Sequence, residues 1–468
     1  MILNERISPK NKISYISELE SNEKELLKIK KEKLDWIIIR SRSNWAEKEE
    51  KSNKYFFGLL KYREKSKTIS GLYNINNQLE KDNTEIRNIV HNYYSSLFKM
   101  GATDCNSQLS LTTCIKKKMS NIDQKILDKK IEYNEIISAI EESPNNKSLG
   151  PDCLSFEFYK KFKERIANHL INIFNKEIEM QKWNTINGGS VRALIPKRGD
   201  LKDLKNYCPI TLSNCDEKIY TKILTKRVQN ILFKVIDRRQ SGFIKGRNIF
   251  DNIYGANFLI ENSKINPHIT NGYLQVLDQE KAYDRVDWGY LFKCLEGFGF
   301  TQSFKINIKN IYLGSKTKVT IKKTLTEPIK IEQGLRQGNP LLPLLYNIII
   351  EPALINIDDK TKGIPVDNNN FKYLAYADDL LIGIGDKGDE KAVEDILETY
   401  SLASNAKINK EKTMYIKIGE PKDSWLTNKS LGPTDTFNYL GIVFTESGVS
   451  FSDNQTKLEE SIHSKMES

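Results

Sequence analysis

Two acidic stretches carry the residue types that metal chemistry needs. In FKYLAYADDLLIG (371–383), Asp378 and Asp379 sit side by side between apolar runs. In GYLQVLDQEKAYDRVDW (272–288), Asp278 follows the apolar run Tyr273 to Leu277. Two adjacent aspartates alone are an ordinary polar turn. An acid at the end of a buried strand is different, because the sheet holds its backbone while its oxygens reach past the strand. Two such carboxylates brought together are hard oxygen ligands suited to Mg²⁺, with phosphates completing the shell. Paired divalent ions about 4 Å apart can activate an attacking hydroxyl and stabilise a departing phosphate group.

The elements that must position these acids follow from the pattern. Tyr273 to Leu277, apolar except for Gln275, predicts a strand in the centre of a sheet. Phe371 to Ala375 and Leu380 to Ile384 predict a hairpin with Ala377-Asp378-Asp379 at its tight turn. Successive strand residues point to opposite faces, so the two acids need not share a target, and Asp378 is expected to face the cleft. Helical spacing resumes after Asp287, with Trp288, Leu291, Phe292 and Leu295 along the buried side.

Upstream, residues 1–70 mix dense charge with apolar residues three and four apart, which predicts helices with one apolar stripe. Arg40, Arg42, Lys54 and Lys61 there are candidate nucleic-acid contacts, and Trp45, Tyr55, Phe56 and Phe57 packing anchors. The Asn-, Thr- and Ser-rich residues around 101–121 predict a loop. NNKSLGPD (145–152) must break regular structure before a helix over FEFYKKFKERIANHLINIFNKEIE (156–179). From about residue 190, short β-prone runs alternate with helices, the pattern of an α+β domain.

The chain has 468 residues and net charge +11, from 72 Lys plus Arg against 61 Asp plus Glu. That balance favours polyanionic partners. Its six cysteines include no C-x-x-C pair and its four histidines are scattered, which excludes a zinc finger or knuckle. LLPLLYNIII is too short to span a membrane and the N-terminus has no apolar signal segment, so an intracellular protein with reduced cysteines and no membrane partner is expected.

Seven stretches together resemble the reverse transcriptase of non-LTR (LINE-type) retrotransposons. They are LIPKRGDLKDLKNYCPITLSNCDEKIYTKILTKRV (194–228), QSGFIKGRNIFDNI (240–253), LDQEKAYDRVDW (277–288), GLRQGNPLLPLLYNIIIEPAL (334–354), YLAYADDLLI (373–382), NAKINKEKT (405–413) and NYLGI (438–442). They occur in the family's order. The resemblance implies a right-hand polymerase, with an antiparallel palm sheet backed by helices. It divides the chain into a helical connector (1–70), a helical and loop region leading into fingers (71–189), the reverse transcriptase domain (190–445), and a truncated thumb start or tail (446–468). It implies an RNA template, a DNA primer, dNTP and two Mg²⁺ ions.

Residue by residue, the resemblance makes Asp278 and Asp378 the metal-binding acids and Asp379 the second acid of the turn. Tyr283 would abut the sugar 2′-position, and Gln337 and Gly338 would shape the nucleotide pocket. Lys197 would contact the incoming phosphate, as would Lys412, with Lys407 and Lys410 in competition for that place. Tyr439, Leu440 and Gly441 resemble the turn that grips the primer end.

The chain also departs from the family. Cys208 stands where the pattern has an arginine, which could hold a phosphate bidentately. Asn339 replaces an acid, Leu342 a serine, Leu149 a proline and Cys153 a glycine. The sequence begins at a connector-like helix, with no endonuclease expected before the polymerase, and leaves little room for a thumb. These departures support an alternative, a catalytically weak or dead remnant that only binds nucleic acid. An RNA-templated RNA polymerase is a third reading, against which Tyr283 argues.

Overall fold

A computed structural model describes residues 69–466 except 181–188, 198, 267, 270, 323, 421–425, 427–431 and 433–434. The helices expected over residues 1–70 therefore lie outside the described residues, save the last two positions. With them go Arg40, Arg42, Trp45, Lys54, Tyr55, Phe56, Phe57 and Lys61.

A short hairpin of β1 (Leu72–Tyr73) and β2 (Leu79–Glu80) leads into α1 (Asn83–Phe98). The Asp82 carboxylate caps α1 by accepting from the N–H groups of Thr84 and Glu85. Next comes a correction: the loop expected around 101–121 contains a helix, α2 (Cys105–Thr112). Its composition is loop-like, but Asp104 caps it and Leu111 and Gln108 bury themselves in the core. Tertiary contact overrides weak propensity here. Four further helices follow: α3 (Asn121–Asp128), α4 (Tyr133–Glu141), α5 (Phe156–Lys161) and α6 (Lys163–Met180). The last two divide the single helix expected over 156–179.

β3 (Ser190–Pro196) and β4 (Tyr207–Leu212) form an antiparallel pair, followed by α7 (Cys215–Val235) and α8 (Ile249–Asn262). Then come β5 (Gly272–Leu277), α9 (Trp288–Gly297) and α10 (Gln302–Tyr312). In α9 the buried side chains are Tyr290, Leu291, Cys294 and Leu295, whereas Trp288 and Phe292 are only half-buried. The fully buried stripe thus takes in Tyr290 and Cys294 as well, and the Trp288 indole donates to the Gly334 carbonyl. β6 (Lys316–Ile321) runs parallel to β3 and carries β7 (Thr324–Leu325) and β8 (Ile329–Lys330) on its other side.

α11 (Leu342–Lys360) is buried nearly all round, as a helix through the middle of a core must be. Its eight buried Leu and Ile residues contribute roughly 12–24 kcal/mol of gross burial free energy. That margin lets the same helix hold Asn347, Glu351 and Pro352 in its interior. β9 (Ile364–Val366) and β10 (Asn369–Phe371) form a separate hairpin, so Phe371 pairs with Ile364 and does not begin the acidic hairpin as expected. That hairpin consists of β11 (Tyr373–Tyr376) and β12 (Asp379–Ile384). The chain continues through α12 (Lys387–Ser404), β13 (Met414–Ile418), β14 (Thr436–Tyr439), β15 (Ile442–Thr445), β16 (Gly448–Val449) and α13 (Phe451–Met466).

The central sheet is antiparallel, in the order β11-β12-β5-β13. β5 and β12 are interior, as expected for strands read as buried, and β11 lies at the end of the order. One face, through Leu277, Ala375, Leu380 and Ile382, packs on the largest core with α7, α9, α11 and α12. The other face, through Leu274, Leu381 and Ile416, packs on α8 and the β14–β15 hairpin. A third core joins α1 to β4, β6 and β8. Mixed helices and sheets of this kind make an α+β fold.

Candidate active site

The register of the central sheet brings the acids together. Leu380 of β12 pairs with Leu277 of β5. Asp379 and Asp278 are each one position further along, so both leave the sheet on the face opposite those leucines. Asp378 reaches in from the turn, where its Oδ1 accepts from the Tyr283 hydroxyl at 2.9 Å. Asp379 reaches solvent, yet the surrounding protein and the charges of Asp378 and Asp278 push its carboxyl up to about 7. Burial also pushes the Asp378 carboxyl up, against the Tyr283 hydrogen bond that pulls it down.

Three of the cations around the site are already engaged. Arg285 and Lys407 pair with Glu280, and Arg192 pairs with Asp284. Lys197, whose charge pulls the Asp378 carboxyl down, is not among these pairs, and the three clustered carboxylates still outnumber it. Among the described residues, no three Asp, Glu, His or Cys side chains are placed to hold a metal ion by themselves. A hard divalent cation such as Mg²⁺ takes one or two carboxylates and completes its shell with water and phosphate, so this all-oxygen donor set fits one.

Several backbone contacts fix the acids. Asp278 accepts at its carbonyl from Asn409 N–H at 2.8 Å, and the Lys407 carbonyl accepts from Glu280 N–H at 2.8 Å. The NAKINKEKT loop thus braces the acid after β5. In the β11–β12 turn, Ala377 has φ of +55°, a left-handed conformation that costs about 1–2 kcal/mol outside glycine. Its N–H donates to Gln240 Oε1 at 2.9 Å. Beneath the turn, the Tyr283 and Tyr346 rings lie 4.7 Å apart, and the Tyr346 hydroxyl donates to Gln279 Oε1.

The residues expected to shape a nucleotide pocket cluster beside β4. Gln337 donates through Nε2 to Asp284 at 3.0 Å and accepts at Oε1 from the Cys208 thiol at 3.2 Å. Its carbonyl accepts from Thr211 N–H. Gly338 has φ of +100°, and a Cβ there would meet the Thr211 carbonyl at 2.8 Å, so only glycine suits the position. Asp284 is fully buried against Arg192, whose guanidinium lies 4.0 Å over the Phe98 ring. Burial pushes the Asp284 carboxyl up and the Arg192 guanidinium down.

The lysines separate. The Lys281 ammonium is held by the carbonyls of Lys205 and Tyr207, and burial followed by the Lys197 charge pulls its pKa down. Lys197 itself is exposed. Of the competing lysines, Lys407 is tied to Glu280, while Lys410 and Lys412 are exposed. The Tyr439 side chain is buried, its hydroxyl accepting from Asn252 Nδ2 at 3.4 Å. In the turn that follows, Leu440 (φ +51°) is half-buried and Gly441 (φ +86°) is exposed.

The departures have local consequences. Asn339 Oδ1 accepts from Leu341 N–H, the turn contact an aspartate would make, and Leu342 joins the core. Cys153 has φ of +60°, a strained position for anything but glycine. The motifs assigned no role to Gln240, Arg192 or Asp284, nor to Thr413, whose Oγ1 accepts from Asp278 N–H at 3.4 Å. All but Arg192 lie inside the quoted motifs, but their roles depend on partners far away in the chain, which no local spacing reveals.

The sequence matches the reverse transcriptase (RNA-dependent DNA polymerase) family over residues 195–444. It is 28% identical over 92% of its length to the transposon TX1 uncharacterized 149 kDa protein of Xenopus laevis, covering 33% of that protein. It is 26% identical over 66% of its length to the retrovirus-related Pol polyprotein from type-1 retrotransposable element R2 of Nasonia vitripennis, covering 30% of it. The type-2 retrotransposable element R2DM polyprotein of Drosophila melanogaster is 26% identical over 54% of the chain, which covers 25% of that protein. The chain thus spans about a third or less of these relatives. With its acids at the ends of β5 and β12 and this match over more than half its length, the chain belongs to the reverse transcriptase family, of the LINE type.

Proposed function

We propose that this chain is the RNA-directed DNA polymerase domain of a LINE-type retroelement protein, with fingers and palm acting on an RNA template and a DNA primer. In the reaction, the primer 3′-oxygen forms a bond to the α-phosphate of an incoming dNTP. The bond to the β-phosphate breaks, the hydroxyl proton leaves, and pyrophosphate departs. The observation that carries this reading is the convergence of Asp278, Asp378 and Asp379 at the ends of two paired interior strands.

Family members use divalent cations, and Asp278 and Asp378 would hold two Mg²⁺ ions here. Bound there, the ions would acidify the primer hydroxyl and neutralise charge on the leaving pyrophosphate. The chain's own residues do the positioning. Tyr283, fixed by its hydrogen bond to Asp378, presents its ring to the sugar and disfavours a 2′-hydroxyl. Gln337 and Gly338 form the pocket wall, held by Asp284 and β4. Lys197 and Lys412 supply positive charge for the triphosphate, and the Tyr439-Leu440-Gly441 turn bears on the primer strand.

Mg²⁺-dependent extension of a DNA primer on an RNA template tests the reading. Asp278→Asn should reduce extension to background, and Tyr283→Val should lower the preference for dNTP over rNTP by about 10- to 100-fold. Extension that survives Asp278→Asn refutes the proposal. The Cys208 departure favours a second reading, a remnant that binds without turnover. Salt-sensitive RNA binding with no incorporation by the wild type would select it.

A further inference from the structure

Residues 239–243 pass along the outer edge of β11, where the four-stranded order ends. The contact is a short parallel ladder. Ala375 N–H donates to the Arg239 carbonyl at 2.9 Å, Ser241 N–H donates to the Ala375 carbonyl at 2.8 Å, and Gln240 bridges Ala375. Gln240 is wholly buried, and its Oε1 accepts from the N–H groups of both Gly242 and Ala377. Gly242 lies so close that a Cβ would stand 2.5 Å from Ala377 N. Phe243 then sets its ring 5.4 Å from that of Tyr376, the residue before the turn.

This strap is itself immobilised. The Arg247 guanidinium donates to the carbonyls of Ile236, Asp237 and Gln240. Asn347 Nδ2 donates to the Gly242 carbonyl, and Glu351 accepts from Asp237 N–H at 2.6 Å. On the other side, Asn252 Nδ2 donates to the Ala375 carbonyl while its Oδ1 accepts from Ser241 Oγ. The turn needs such a brace. Ala377 holds a left-handed conformation, and its side chain is a methyl group that can make no polar contact of its own.

We propose that Gln240 is a positioning residue for the catalytic turn: its amide oxygen, clamped between Gly242 and Ala377, sets the direction of Asp378 and hence the affinity for the divalent cation. Gln240 touches neither substrate nor cation. It acts through one backbone N–H adjacent to the acid. This inference rests on the polymerase reading above and adds a residue to which that reading gives no role.

The test uses the full chain with a dideoxy-terminated primer on an RNA template and the next dNTP. Mn²⁺ binding is read by electron paramagnetic resonance, primer–template binding by anisotropy, and folding by thermal denaturation. Gln240→Met, which keeps the bulk and removes the acceptor, should weaken Mn²⁺ binding at least fivefold with primer–template binding within twofold. The Mg²⁺ concentration for half-maximal extension on an unblocked primer should rise by a similar factor. Leu170→Ala, a cavity in the helical core remote from the turn, should lower the melting temperature without moving Mn²⁺ affinity.

Mn²⁺ affinity within twofold of wild type in folded Gln240→Met overturns the proposal, as does an equal loss in Leu170→Ala. If Gln240→Met does not fold, Gly242→Ala decides by the same readout, since its Cβ must displace the turn. Unchanged Mn²⁺ affinity there overturns the proposal too. Wild-type protein that neither extends a primer nor binds Mn²⁺ would instead defeat the polymerase reading.

Discussion

Arg192→Met is the substitution whose consequences follow most directly from the structure. Arg192 and Asp284 are 2% and 0% exposed and 3.1 Å apart. At an effective dielectric constant of 20, their attraction amounts to about 5 kcal/mol. Removing both charges from water costs several kcal/mol per ion, so the intact pair adds little net stability. Deleting one partner is a different matter. Arg192→Met removes the attraction and leaves the buried Asp284 carboxylate with the Gln337 hydrogen bond and the charges of Lys281 and Lys197, at an expected cost of about 3–5 kcal/mol. Denaturant unfolding should show a lower midpoint at an unchanged slope, with little sensitivity to salt because the pair is shielded from solvent. Burial already pushes the Asp284 carboxyl up. In the variant it should protonate more readily still, so the deficit should shrink as pH falls. Arg192→Met/Asp284→Asn should cost clearly less than the two single changes added together. A single-variant cost below about 1 kcal/mol, or strict additivity in the double, would refute the reasoning.

Two further expectations concern the pocket and the core. Cys208→Arg places a permanent charge beside Gln337, Lys281 and Lys197. It should lower the dNTP KM by about tenfold, the size of a charged hydrogen bond, and an unchanged KM in steady-state extension counts against a phosphate at that position. Glu351 is buried on α11, and burial pushes its carboxyl from 4.5 up to about 8. Because the folded state holds this proton more tightly than the unfolded one, the contribution is full below pH 4.5 and is lost as pH rises through about 8. The loss is at most about 4–5 kcal/mol. Glu351→Gln should flatten this fall in urea midpoints measured from pH 5 to 9, and parallel profiles for the two proteins would contradict the assignment.

The acids were legible because each stands at the end of an apolar run, and period-two alternation fixes which side chains share a face. The hairpin turn and the strand before Asp278 could be placed from that alone. The helix α2 could not, because its residues are poor helix formers and its stability comes from Gln108, which reaches the Ala403 carbonyl and Asp287 far along the chain. On α9 the expected Leu291 and Leu295 are buried, and Trp288 and Phe292 pack half-buried against the same core. Tyr290 and Cys294, ambiguous in hydropathy, take the other fully buried places through packing against α11 and α12.

By itself, the sequence determined the ordered motifs, the family they mark, and the acids available for metal chemistry. These depend on residue identity and short spacing, which the chain carries locally. Only the tertiary structure decided what holds those acids in place. Tyr283 bonds to Asp378 across 95 positions, Gln240 to Ala377 across 137, and Arg192 to Asp284 across 92. Contacts of that range exist only after the sheet has closed. They are individually modest in energy, and nothing in the local pattern of either partner announces them.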